Sequence, residues 1–372
     1  MLDPRPPVSP SRLAWLTVAV CLPVLVLGLG LQLVSLPIGL WFTEIFGLLG
    51  VAWALTRWSG RSPVAHARLR WPGAPAVLFA AALSVANYFG LAIPLQGLSR
   101  SFFPADWAEG MDPTRAFLQL APADLWLTTA AAVLGAAFCE EFVFRGVVQR
   151  GFAAEGAHPG QAVVRAALLF ALFHLNPVNF AALFEIGVFL GLLFLRTGSL
   201  VPGIVAHATQ NAMVLALIVN ERDAPPAAAA AEAGWRTYVG LGGIGLLVLS
   251  LLVLLARRFP VVWGTPHAEH PDRPRLPLAR AFAPWLIGAS AMLLAWGSVD
   301  RRGVELGLVD LRVQLPAPSA TESEEVRSAR TSLETLRGRV RRGQAPLGEY
   351  LGARRALAQS LGDGTPTLQR AE

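Results

Sequence analysis

Runs of about 20 apolar residues recur along the chain, and their recurrence limits the fold more than any single motif does. A bilayer interior offers no water to pair a backbone N–H or C=O, so segments of this length and polarity cross it as helices. The runs centre on 13–34, 38–56, 74–95, 125–153, 161–175, 178–196, 200–219, 237–256 and 281–299. The count is eight or nine, because the fifth run is short and stops at Asn176-Pro177, while the fourth continues into charged residues. The expected fold class is all-α: a polytopic transmembrane bundle of eight or nine spans followed by a small helical C-terminal tail. The first run follows Arg12 with no small-residue cleavage site before the next, and so reads as an anchor and not as a removed signal peptide.

With 54% hydrophobic and only 15% charged residues, the chain lies far from the balance of a soluble domain. The net charge of +6 does not point to nucleic acid, because the arginines fall between apolar runs and form no aromatic-interleaved basic surface. All the basic residues are arginine, a bias that fits a high-GC bacterial genome, so the expected location is the bacterial inner membrane, crossed many times. Cys21 and Cys139 both sit in apolar runs, which leaves no disulfide framework and no thiolate metal cluster.

Orientation follows from the excess of arginine in short cytoplasmic loops. The loop 57–73 carries Arg57, Arg61, Arg68 and Arg70 with no acid and is expected inside. The loop 99–124, with Asp106, Glu109, Asp112 and Asp124 against Arg100 and Arg115, then falls outside. The same alternation puts the 257–280 loop, with five arginines, inside. The chain divides by composition into N-terminal spans and loops (1–124), a polar-bearing helical core (125–220), C-terminal spans (221–299) and a soluble amphipathic tail (300–372). Ala224 to Ala231 reads as a Pro/Ala loop. In the tail, Glu322 to Arg342 and 346–361 read as two short amphipathic helices, a solvated accessory hairpin or a partner-binding module.

Ionisable groups near the bilayer centre cost roughly 2.5–3.5 kcal/mol each on insertion scales, and they persist where they are paired or used. Three runs bring polar groups inward: Glu140, Glu141 and Arg145 in the fourth, His174 at the end of the fifth, and His207 with Asn211 in the seventh. Residues four apart share a helix face, so Glu141 is expected to pair with Arg145, leaving Glu140 about 100° away and free to face a cavity. His207 and Asn211 are also four apart. Counted from the turn at 154–160, Glu140 and His174 are level at about 20 Å; His207, counted from the turn at Thr197 to Ser199, is shallower but within reach of them given the latitude in the turn boundaries. Glu185, in the sixth run, lines the cavity or pairs with Arg145; Glu44 and Asn87 read as helix-packing polar groups. His66, His158, His267 and His270 fall in loops and read as solvated. Cys139 reads as a small buried hydrophobe.

Glu140-Glu141-x-x-x-Arg145, Phe170-x-x-x-His174 and His207-x-x-x-Asn211, in that order on successive helices, resemble the CPBP family of CAAX-protease and bacteriocin-processing peptidases. The resemblance covers about 125–220. It implies an intramembrane endopeptidase acting on a peptide bond of a membrane-associated or C-terminal peptide. Within it, Glu140 activates water, His174 orients that water or shares its proton, His207 and Asn211 stabilise the oxyanion, and Arg145 neutralises Glu141. The partners implied are a peptide or protein substrate and the lipid bilayer, with no nucleic acid; nothing in the residues speaks to oligomeric state. No cofactor is required on the favoured reading. Zinc held by Glu140, His174 and His207 is the alternative, since one Glu and two His also make a catalytic zinc set, although no HExxH motif is present.

Two other readings stay open. A catalytically silent protein of the same fold, binding a peptide or partner in an immunity or scaffolding role, keeps the polar cluster without turnover. A proton-coupled transporter also uses intramembrane carboxylates and histidines, but no inverted repeat accompanies them here.

Overall fold

The computed structural model describes residues 8–112, 117, 120, 122–155, 158–223, 235–256, 276–316 and 322–362. The Ala224–Ala231 loop, most of the 257–280 loop with His267 and His270, and Arg115 lie outside them.

Helices occupy all nine apolar runs among the described residues: α1 (Pro10–Val34), α2 (Leu36–Trp58), α3 (Ala74–Arg100), α4 (Asp124–Ala153), α5 (Pro159–Phe173), α6 (Phe180–Thr197), α7 (Val201–Asp223), α8 (Trp235–Ala256) and α9 (Leu278–Val299). Seven of them contain an apolar stretch long enough to cross a membrane; α5 and α8 carry shorter ones. The protein is thus an integral, multi-pass, all-helical membrane protein.

Local chemistry sets the ends. Pro159 opens α5, where no N–H partner is needed, and the His158 ring accepts from Gly160 N. His158 is thereby an exposed helix cap. Gly198, at φ 59°, ends α6 in the left-handed conformation that a side chain disfavours. Leu175 takes φ 49° without that freedom, in the turn that closes α5 ahead of Pro177.

The chain forms two compact units, Met1–Gly28 with Leu40–Gly288, and Leu29–Gly39 with Ala289–Glu372. In the first, α4 is the central helix, and Phe142, Phe144, Val147, Val148 and Phe152 are fully buried in its core. Small residues let backbones approach: a Cβ on Gly187 of α6 would stand 2.9 Å from the Ala167 Cα of α5. Apolar side chains such as Trp15, Leu22 and Val26 of α1 point outward, as lipid-facing positions must.

The turns group as the charge pattern requires. Leu200 N donates to Arg68 O and Arg70 Nε to Gly198 O, both at 3.0 Å, so the arginine-rich loop and the α6–α7 turn share one end. Asn176 Nδ2 donates to Met111 O (2.8 Å) and Gln96 Nε2 to Asn179 Oδ1 (3.1 Å), joining the α5–α6 turn to the acidic segment at the other end.

One loop histidine departs from expectation. His66 is only 7% exposed, in a short helix Pro63–His66, because Arg150 of α4 donates to its carbonyl and draws the loop against the bundle. Burial, with the guanidiniums of Arg150, Arg61 and Arg68 around it, pulls its imidazole down to about 3.

The second unit contains the two expected tail helices and one more: α10 (Arg301–Arg312), α11 (Glu324–Arg341) and α12 (Leu347–Gly362). Leu306, Val309, Leu333, Val340, Tyr350 and Leu357 form their core. Asp310 collects Tyr350 Oη (2.6 Å), Arg337 Nε (3.0 Å) and Arg354 Nη1 (3.1 Å), and so ties all three together. The unit is a three-helix core, not a hairpin.

Candidate active site

The site begins on α4, which is not α-helical throughout. Widened π-helical stretches at Ala131–Gly135 and Phe142–Gln149 flank the α-helical Ala136–Glu141, and such stretches concentrate at functional sites. Another in α2, Phe42–Gly50, carries Glu44 against the same part of α4, where a Cβ on Gly135 would stand 3.8 Å from the Glu44 side chain.

Arg145 and Glu141 are both fully buried and pair at 2.7 Å. The guanidinium also donates to Gly187 O (3.0 Å) and lies over the Phe170 ring, 4.6 Å from its centroid. Lipid offers no substitute for these partners, so Arg145 fixes α4 against α5 and α6 at once. On its far side Glu141 meets α7: His207 Nδ1 is 3.2 Å from Glu141 Oε1, and Gly203 leaves space that a Cβ would fill at 3.0 Å from Glu141 Oε2.

Glu140 points away from this pair. It is 9% exposed, its Oε2 is buried with no hydrogen-bond partner in the protein, and that oxygen lies 3.9 Å from His207 Nε2. With Nδ1–H given to Glu141, the His207 nitrogen facing Glu140 is the one free to accept or donate. The structure therefore joins Glu140, Glu141, Arg145 and His207.

His174 is not joined to them. The residue is exposed, its Nδ1 is bonded to Phe170 O at 2.8 Å, and the Phe170 ring meets both histidines, with centroids 4.8 Å from His174 and 5.9 Å from His207. Asn211 turns to α4 as well, one turn further on, where its Nδ2 donates to Ala132 O at 2.7 Å.

Glu185 does not pair with Arg145. It accepts from Asn87 Nδ2 at 3.2 Å, a bridge between α6 and α3. Glu44 is closer to the chemistry than a packing group would be: 5% exposed, with an unpartnered Oε2, it interacts electrostatically with Glu140. Its polarity in an apolar run was the only signal available, and Asn87 carried the same one. Cys139 is free and buried between these carboxylates and receives no base.

Zinc would need three or four converging ligands. Glu140 and His207 offer two, His174 stands apart, and among the described residues no group of three His, Cys, Asp or Glu side chains is arranged to hold a metal ion. The present arrangement does not fit the three-ligand set.

Residues 122–213 match the profile of the family described as type II CAAX prenyl endopeptidase Rce1-like. The matched region contains Glu140, Glu141, Arg145, His174, His207 and Asn211, in agreement with the resemblance their spacing carried; α1–α3, α8, α9 and the tail lie beyond it. No curated protein and no solved structure matches the chain.

Proposed function

We propose that the protein is an intramembrane endopeptidase in which Glu140 activates water against a peptide carbonyl. The observation that carries this reading is a carboxylate oxygen buried at mid-span without a protein partner and facing one imidazole, on a helix held by the Glu141–Arg145 pair. The Rce1-like match supports the coarser part, a CAAX-type membrane protease.

The chemistry runs as follows. Glu140 Oε2 takes a proton from water, whose oxygen bonds to the carbonyl carbon. His207, in its protonated form, donates from Nε2 to the developing oxyanion, with the second N–H of Asn211 as a further donor once substrate is bound. The C–N bond then breaks as Glu140 returns its proton to the leaving amine. Glu141 holds His207 by Nδ1, and Arg145 balances Glu141, so that neither carboxylate competes for the other's partner.

A second reading, a peptide-binding protein without turnover, draws on His174 having its hydrogen bond to Phe170 O and none to Glu140 or His207. Purified protein in nanodiscs, offered a library of quenched fluorescent membrane peptides, separates the two. Cleavage by the wild type and none by Glu140→Gln is the expected result; binding without cleavage by either would establish the second reading.

A further inference from the structure

Gln210 lies on α7 three residues beyond His207 and one before Asn211, and it is 2% exposed. Neither its Nε2 nor its Oε1 meets a hydrogen-bond partner in the protein. Glu44, Glu140, Glu141 and Gln149 each have one fully buried oxygen without a partner; in Gln210 both ends of the amide are buried and unsatisfied, at a depth where that is destabilising. Its placement is informative. Seven residues back, and so within about 20° around the helix, Gly203 abuts Glu141 Oε2. His207 and Asn211, on either side, are both bonded to α4. Gln210 is thus on the α7 face turned toward the helix that carries Glu140.

We infer that Gln210 is the receptor for the substrate backbone, its Nε2 donating to a peptide C=O and its Oε1 accepting a peptide N–H. A side-chain amide presents one donor group and one acceptor, the complement of a single peptide unit. A helical segment has already paired those groups internally, so the ligand class is a membrane peptide that is extended or unwound where it meets α7. This inference rests on the peptide-substrate reading proposed above and deepens it.

The test uses two labelled peptides of about 20 apolar residues, one all-leucine and helical, the other with a central Gly-Ser-Gly-Gly segment that leaves backbone groups unpaired. Binding is measured to full-length Glu140→Gln protein in nanodiscs, with and without Gln210→Leu. The unwound peptide should bind more tightly than the helical one, and Gln210→Leu should weaken it by about tenfold, the effect of one lost hydrogen bond, leaving the helical peptide unchanged. In the active protein the same substitution should raise KM with kcat within about threefold, while the thermal midpoint holds or rises because an unpaired polar group is removed. Should Gln210→Leu fail to fold, Gln210→Met carries the comparison. No saturable binding of the unwound peptide, equal affinity with and without Gln210, or a fall in kcat that tracks a lower midpoint overturns the inference. Cleavage by the wild type alongside any of these leaves the peptidase reading standing; a Gln210-dependent affinity without cleavage does the reverse.

Discussion

His207 reaches Glu141 through Nδ1 at 3.2 Å, so the carboxylate expected only to balance Arg145 also fixes which histidine nitrogen faces Glu140. Glu141 therefore serves two partners with one oxygen, and the geometry at Glu140 depends on both.

Replacing Glu140 by Gln should abolish hydrolysis while leaving yield and thermal stability near wild type, because shape is kept and only the base is lost. General-base catalysis contributes about a hundredfold or more. Residual turnover above roughly a tenth of wild type would remove Glu140 from that role.

Arg145→Ala should damage folding first. It leaves Glu141 buried without its cation and costs about 3–5 kcal/mol by comparison with other broken buried pairs. The double variant Glu141→Gln, Arg145→Met leaves no charge stranded and should recover part of the loss. Size-exclusion profiles and unfolding midpoints of the three proteins decide this; a stable, monodisperse Arg145→Ala would show that the pair contributes little.

Turnover should survive a strong chelator, since in the proposed mechanism Glu140 and His207 act on water and carbonyl directly. Parallel metal analysis gives the decisive contrast. Stoichiometric zinc whose removal stops hydrolysis and whose return restores it would establish metal chemistry in place of the mechanism proposed.

Below about pH 6.5 the unfolded chain takes up a proton that buried His66 refuses until about pH 3. Stability from this site is therefore complete above pH 6.5 and declines as pH falls through that window, by on the order of 2 kcal/mol at about pH 5. Unfolding midpoints between pH 7.5 and 5 should drop for the wild type and drop less for His66→Phe. Parallel curves would mean that His66 is protonated in the fold.

Topology can be read with single cysteines after Cys21 and Cys139 are replaced. A cysteine at Val64, which is exposed, should label from the face carrying the arginine-rich loop, and one at Phe102 from the opposite face. Same-side labelling would contradict the charge-based orientation.

The spans were readable because lipid imposes length and polarity on every segment, and all nine apolar runs are helices. The Glu141–Arg145 pairing was readable because helical spacing alone brings those residues together. Tertiary placement was not. Glu44 and Asn87 look alike in sequence, yet one lies beside Glu140 and the other bridges to Glu185. His66 is drawn inward by an arginine 84 residues away in the chain. The π-helical stretch Phe142–Gln149 beside Glu140 had no counterpart in the periodicity. In the tail, α10 is itself amphipathic and buries Leu306 and Val309 against α11 and α12, a pattern legible in its sequence but lying directly after the last apolar run, where the division by composition passed over it.

The brevity of α5 has a consequence for the lipid around it. Its 15 residues reach about 22 Å, well short of the roughly 30 Å of hydrocarbon that its neighbours are long enough to cross, and Val164, Leu168, Leu172 and Leu175 turn an apolar stripe outward along it. Acyl chains that cover this stripe must shorten or tilt, so the bilayer thins beside α5 and its polar boundary dips toward His174. Water, and the peptide substrate of the proposed function, then have the shortest path to the polar helices on that flank, and thicker membranes should slow entry before they affect the chemistry.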